Sequence, residues 1–195
     1  MFDEQSKFVH LLLCWVLVFA ALIGCVYSLR VTLAQIFYYE AKYGVSKDCI
    51  DGIIWRAEKI KSLYPWHYLA FTHAAARANK EAKDNPERMI EMKDIANRFC
   101  TLSLRLNPYK RQMRLMEARL ISEKNTLLAV DKWKSYLEWA FWDPLNHKIM
   151  VEFYLKAGDF ASAMESLEFT LNSPYYEECR NMIRDFWEKE KTFSY

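Results

Sequence analysis

Residues 145–174 read LNHKIMVEFYLKAGDFASAMESLEFTLNSP, and their apolar positions recur at helical intervals before the segment runs into Pro174. Proline cannot continue a helix and restricts the residue before it, so Pro174 is expected to mark a helix end. The same arrangement, an apolar-periodic segment closed by proline, occurs three times upstream: KSLYP at Pro65, LRLNP at Pro108 and AFWDP at Pro144. The closures stand 43, 36 and 30 residues apart, and recurrence at about 36 residues predicts a helix-pair repeat. Helices are accordingly expected over 31–42 and 50–64, from 66 to about 81 and again up to Pro108, and over 109–123, 127–142 and both halves of 145–174. The polar stretch KDNPER breaks the second pair, with Pro86 suited to a helix start. Residues 175–191 read as a last helix with Cys179, Met182, Ile183 and Phe186 on one face.

Composition agrees with an all-α chain. Four glycines and five prolines in 195 residues disfavour a hairpin-rich β fold. With 52% hydrophobic residues the length suits one sizeable core in addition to an anchor. A net charge of +2, from 27 basic and 25 acidic residues, makes no electrostatic case for nucleic acid. The cysteines, at 14, 25, 49, 100 and 179, contain no Cys-x-x-Cys pair and indicate neither a zinc site nor a disulfide framework.

Within 145–174, Tyr154 falls late in the first helix, Gly158-Asp159-Phe160 interrupt the pattern, and Ala163, Leu167 and Thr170 follow as small, bulky and small. Ala96, Cys100, Ser103, Leu104, Leu106 and Pro108 repeat this order with a Leu-x-Leu-x-Pro ending. The pattern resembles tetratricopeptide repeats over about 31–174. That resemblance implies four irregular helix pairs in an α-solenoid, with 175–195 as capping helix and tail. A weaker likeness, in Pro-Trp and Asn-Pro-Tyr junctions that follow a membrane span and a Tyr-Tyr-bearing helix, is to the soluble tail of bacterial O-antigen ligase and polymerase-type proteins. The multi-span catalytic part of those proteins has no counterpart in this sequence.

Upstream of the repeats, after a short polar N-terminus at 1–7, residues 8–29 (FVHLLLCWVLVFAALIGCVYSL) carry no Asp, Glu, Lys or Arg. As a helix they would reach roughly 30 Å, enough to cross a hydrocarbon core, and a single-pass transmembrane anchor is expected. Leu22-Ile23-Gly24-Cys25 also resembles the bacterial lipobox, which would make Cys25 a lipidated N-terminus after cleavage. The apolar continuation Val-Tyr-Ser-Leu after Cys25 favours the uncleaved helix. Lys7 on one side and Arg30, Lys42 and Lys47 on the other leave both orientations open. A literal count keeps the repeats cytoplasmic, but long domains translocate largely regardless of charge. The expectation therefore tips towards a bacterial inner membrane with the domain on the extracytoplasmic side of the cell envelope.

No P-loop, Gly-x-Gly-x-x-Gly, His-Glu-x-x-His, EF-hand loop or Gly-x-Ser-x-Gly elbow occurs. His10 lies in the span, and His67, His73 and His147 lack a partner at metal-ligand spacing. No catalytic, cofactor-binding or metal-ligating residue is therefore assigned, and the chain is not expected to be an enzyme. Most of Trp55, Trp66, Trp133, Trp139, Trp142 and Trp187 are expected in the core. Alternatives are a partner or glycan platform for some of them, and a bilayer-interface position for Trp66 with Tyr64.

In tetratricopeptide stacks the first helix of each pair lines a partner groove. By that resemblance the groove residues are His67, Phe71, Arg114, Arg119, Lys148, Glu152 and Lys156, whose basic majority suggests an acidic or C-terminal carboxylate ligand. The expected function is a membrane-anchored scaffold or adaptor that binds membrane-associated proteins in assembling or stabilising a membrane complex. The alternative, resting on the second likeness, is an accessory module for O-antigen-type polysaccharide polymerisation or ligation.

Overall fold

A computed structural model describes residues 2–44 and 49–193; Met1, residues 45–48, with Lys47 of the flanking-charge count, and residues 194–195 lie outside it. Among the described residues there are nine α-helices and no strand: α1 (Phe2–Tyr43), α2 (Ile50–Leu63), α3 (Tyr68–Asp84), α4 (Met89–Leu106), α5 (Arg111–Ser122), α6 (Thr126–Trp139), α7 (Pro144–Lys156), α8 (Phe160–Glu168) and α9 (Tyr176–Phe193). A 3-10 turn at Pro86–Arg88 leads into α4, with Pro86 at its start. The chain divides into two compact units, Met1–Phe99 and Cys100–Tyr195, and the division falls inside α4.

In the first unit, the apolar stretch and the first expected repeat helix form one unbroken helix. From residue 8 onwards α1 is long and apolar enough to cross a membrane, with a mean hydropathy of 2.6 over its most apolar window and none of that window buried. Past Arg30 the same helix becomes one-sided, burying Ala34, Tyr38 and Ala41 at helical intervals. Ala34 and Tyr38 pack with Ile60 of α2 and Ala70 of α3, against Phe37, Leu63 and Tyr64. Tyr27 meets Tyr64, Arg30 reaches Ser62, Phe37 meets Trp55 and Glu40 pairs with Arg56, so α2 runs antiparallel to α1. On α3 the buried face is mostly alanine, Ala70, Ala74, Ala75, Ala78 and Ala82, which lets neighbouring backbones come close. Asp51 at the start of α2 is held by Arg88 at 2.8 Å, which keeps its carboxyl below the ordinary aspartate range.

The second unit is organised about α7. One face of this helix, Ile149, Met150 and Phe153, joins Ala118 of α5 and Ala129, Val130, Trp133 and Tyr136 of α6. Its other face, Val151 and Leu155, joins Ala163 and Leu167 of α8 and Cys179 and Ile183 of α9. Ala163, Leu167 and Thr170 are all buried, as are Ala96, Cys100, Ser103 and Leu104 of the other small-bulky-small run.

Local chemistry sets the helix ends. Asn125, Asp143 and Asp159 cap α6, α7 and α8 by accepting from Leu128 N, Leu145 N and Ser162 N, each at 3.0 Å. Gly158, at φ 74°, ends α7 with Gly158 N donating to Leu155 O and Asp159 N to Tyr154 O, a pair of bonds that requires the left-handed residue at this position. Two prolines act differently from the sequence expectation. Pro65 and Pro108 follow the ends of α2 and α4, but Pro144 is the first residue of α7 and Pro174 lies in the turn before α9. Proline has no N–H to lose and a helix-ready φ, so it starts a helix as readily as it bars one. Helix α6 ends earlier, at Trp139, and α8 at Glu168.

Candidate functional site

The seven residues expected to line a partner groove separate into two groups. His67 and Phe71 are internal, which corrects their assignment to a binding surface. His67 caps α3, its Nδ1 accepting from Ala70 N at 3.3 Å, and its Nε2 lies 3.4 Å from Gln35 Oε1 of α1. Burial holds its imidazole below the ordinary histidine value. Phe71, 1% exposed, stacks on Phe99. Phe71 shares the buried face of α3 with Ala70, Ala74, Ala75 and Ala78, and His67 precedes the helix as its N-cap.

The other five lie at the surface of the second unit. Arg114 bonds Glu117 at 3.0 Å and the carbonyl of Pro108 at 2.9 Å, Arg119 meets Glu152 at 3.5 Å, and Lys148 meets Glu178 at 2.6 Å while lying over the Tyr175 ring. The Glu178 carboxylate holds the Lys148 ammonium above its ordinary value. Glu152 and Lys156 line a shallow depression of about 340 Å³ with Leu155, Met182, Asp185, Phe186 and Lys189. Four of the five are thus engaged in acid–base pairs, and the basic majority counted in sequence is locally balanced.

The most developed surface feature is aromatic, where the sequence places most tryptophans in the core and offers a partner or glycan platform only as the alternative for some of them. Trp133 is fully buried and donates Nε1–H to Asn146 O at 3.0 Å, but Trp55, Trp66, Trp139, Trp142 and Trp187 are exposed. Trp139 ends α6 and Trp142 stands beyond it, in the turn before α7. In the second unit Tyr109 stacks on Trp139 at 4.5 Å, Trp139 meets Trp142 at 5.9 Å and Trp142 meets Phe141 at 5.6 Å. All four rings are open to solvent, Trp142 at 65%.

The turn that carries this platform is held from below. Asn146 Nδ2 donates to Ala140 O at 2.9 Å, His147 Nε2 to Phe141 O at 2.6 Å, and Arg111 pairs with Asp143. His147 is itself buried and stacks on Phe169 at 4.6 Å. Exposed rings on a turn fixed by three side chains present a preorganised apolar surface, which lowers the ordering cost of binding. The signal for it was present in the run Ala-Phe-Trp-Asp-Pro: two large aromatics directly before an N-cap and a helix-starting proline lie outside either helix face.

No protein-family model matches this chain, and no curated protein matches it. Among the described residues no group of three or more His, Cys, Asp or Glu is arranged to hold a metal ion. Cys100 is buried with Sγ 3.2 Å from Met113 O, and burial pushes its thiol up to about 12. Burial likewise raises Cys179. A nucleophilic thiol needs a lowered pKa and access, and neither residue has them. Cys25 projects from the middle of α1 and is exposed, and a Cβ added at the adjacent Gly24 would touch nothing within 4 Å.

Proposed function

We propose that this chain is a membrane-anchored helical-repeat scaffold that binds another membrane-associated protein. The observation that carries the proposal is the fixed aromatic platform Tyr109, Trp139, Phe141 and Trp142 in a chain whose N-terminal helix is suited to span a bilayer. Tryptophan and tyrosine dominate protein-binding hot spots, and contiguous exposed apolar surface marks interaction sites. Anchoring raises the local concentration of both partners, so modest affinity at the platform suffices for assembly of a membrane complex. The tetratricopeptide-like solenoid with α9 as its cap is the architecture in which such a platform would work.

The test is capture from detergent-solubilised membranes with the wild-type chain and with W139S/W142S. A stoichiometric partner retained by the wild type and reduced at least 10-fold by the double variant, whose thermal unfolding is unchanged, is the expected result. Equal capture by both removes the platform from the proposal. The same exposed rings also favour a second reading, an accessory role in O-antigen-type glycan assembly, because the apolar faces of pyranose sugars stack on indole. Binding of purified surface polysaccharide that is lost in W139S/W142S, with no protein captured, would select it.

The domain is proposed to lie on the extracytoplasmic side of a bacterial inner membrane. Cys49 is exposed outside the apolar stretch while Cys100 and Cys179 are buried, so an impermeant maleimide added to intact cells reads the side directly at Cys49. Intact mass distinguishes an uncleaved α1 from a chain that begins at lipidated Cys25.

A further inference from the structure

In the first unit the corner between α2 and α3 lies beside the stretch of α1 where the apolar run ends. Tyr27 of α1 meets Tyr64 edge-on at 6.3 Å, Tyr64 meets Trp66 at 5.8 Å, and Arg30 Nη2 donates to Ser62 O at 2.8 Å. Trp66 is 60% exposed, and Pro65 and Leu69 beside it are open as well. Helical rise gives roughly 29 Å from Phe8 to Tyr27, the thickness of a hydrocarbon core. A membrane in register with α1 therefore has its boundary at Tyr27, level with this corner. An apolar tip bearing tyrosine and tryptophan, next to an arginine, has the composition of side chains that settle in the headgroup layer.

We infer that the α2–α3 corner is a membrane-interface foot: Tyr64, Pro65, Trp66 and Leu69 sit in the headgroup layer of the bilayer that α1 crosses, and Tyr27 and Arg30 mark the end of the span. This rests on the reading of α1 as a transmembrane helix. The occupant is lipid rather than protein because the corner is continuous with the apolar helix through the Tyr27–Tyr64 contact, so lipid around α1 already reaches it. The foot fixes the depth of the first unit. From Tyr27 to Tyr43 the helix rises about another 24 Å, and α2, antiparallel to it, returns the chain to the surface. Trp55 of α2 lies against Phe37 at 5.7 Å, and Phe37 stands 10 residues beyond Tyr27 on α1, so Trp55 is roughly 15 Å above the foot and belongs to the aqueous part.

The test uses the full-length chain labelled with 5-fluorotryptophan in phosphatidylcholine/phosphatidylglycerol nanodiscs, its fluorine resonances assigned by single Trp→Phe variants. Trp15, in the middle of the span, should be broadened by lipids spin-labelled deep in the acyl chain. Trp66 should be broadened by lipids labelled near the headgroup and protected from an aqueous gadolinium chelate. Trp55 should show the opposite response, broadened by gadolinium and untouched by lipid. If Trp15 senses the deep label while Trp66 behaves as Trp55 does, the foot is wrong and the span stands. If Trp15 senses the deep label but Trp66 is shielded from lipid and gadolinium alike, protein covers the corner and the foot is again wrong. Silence of Trp15 towards lipid overturns the span itself, and the foot with it.

Discussion

Residues 8–29 of α1 and the helix α7 are both rich in apolar residues around much of their circumference, yet the most apolar window of the first is 0% buried, its end at Tyr27 meeting Tyr64, and the second is covered on two sides. A helix apolar on all faces belongs either in a protein core or in lipid. Length and charge separate the two cases. Helix α7 has 13 residues and keeps one polar stripe, Lys148, Glu152 and Lys156, together with buried Asn146 and His147 that bond the preceding turn. The N-terminal stretch has 22 residues without Asp, Glu, Lys or Arg, and among the described residues none of its most apolar window is buried.

The widest break in this comparison comes from charging the span. Val18→Arg combined with Leu22→Arg places two arginines at its centre, each costing about 2.5–3.5 kcal/mol of insertion free energy on the translocon scale. The protein should leave the membrane fraction in flotation, while unfolding of the second unit, followed at Trp133, stays where it was. The complementary break is Trp133→Ala, which empties the space against Phe153 of α7 and should cost the second unit about 3–5 kcal/mol in urea titration. Trp142→Ala, on the platform, should stay within about 0.5 kcal/mol.

Within α1 the contrast sharpens to single alanines. Ala34, buried against Ile60 and Ala70, should lose about 1–3 kcal/mol of first-unit stability as Ala34→Leu through overpacking, whereas Ala21→Leu in the lipid-facing stretch should leave unfolding unchanged. Smaller again is Asp143→Ala, which removes the α7 cap and the Arg111 pair and should cost the second unit about 1 kcal/mol.

The smallest effect is one of pH at the packed end of α1. His67, beside Gln35, and His73, whose Nε2 donates to Ala41 O at 3.3 Å, are both held below the ordinary histidine value by burial. The unfolded chain takes up protons first as pH falls below about 6.5, so first-unit stability should decline from there downwards. His67→Asn retains a capping acceptor and should flatten that slope in melts between pH 7 and 5.

Much of the secondary structure was legible because its signals are local. The interruption at Gly158-Asp159-Phe160 became a left-handed helix end with Asp159 as the next cap, and Pro86 began a helix as its polar flank suggested. Pro144 misled for an equally local reason, since one residue type ends a helix or starts one according to what lies before it. The candidate site was far less legible. The tetratricopeptide resemblance placed His67 and Phe71 on the groove side of a first helix but carried no information about which side of that helix has a neighbour in this chain. Most tryptophans were expected inwards because helix-pair repeats bury aromatics between layers, and that expectation does not distinguish Trp133, whose indole N–H finds the Asn146 carbonyl, from Trp142 on the turn beyond the helix.

The sequence by itself determined an all-helical chain with one stretch long and apolar enough to cross a membrane, because periodicity, capping and uninterrupted hydrophobicity act over a few turns of the chain. Tertiary structure decided which aromatics face outward, which charges are already neutralised, and that α1 continues unbroken from the apolar stretch into the first packed unit. Those outcomes depend on which residues distant in sequence arrive beside one another. Arg30 at Ser62, Tyr27 at Tyr64 and Tyr109 on Trp139 are contacts that no local pattern of residues specifies.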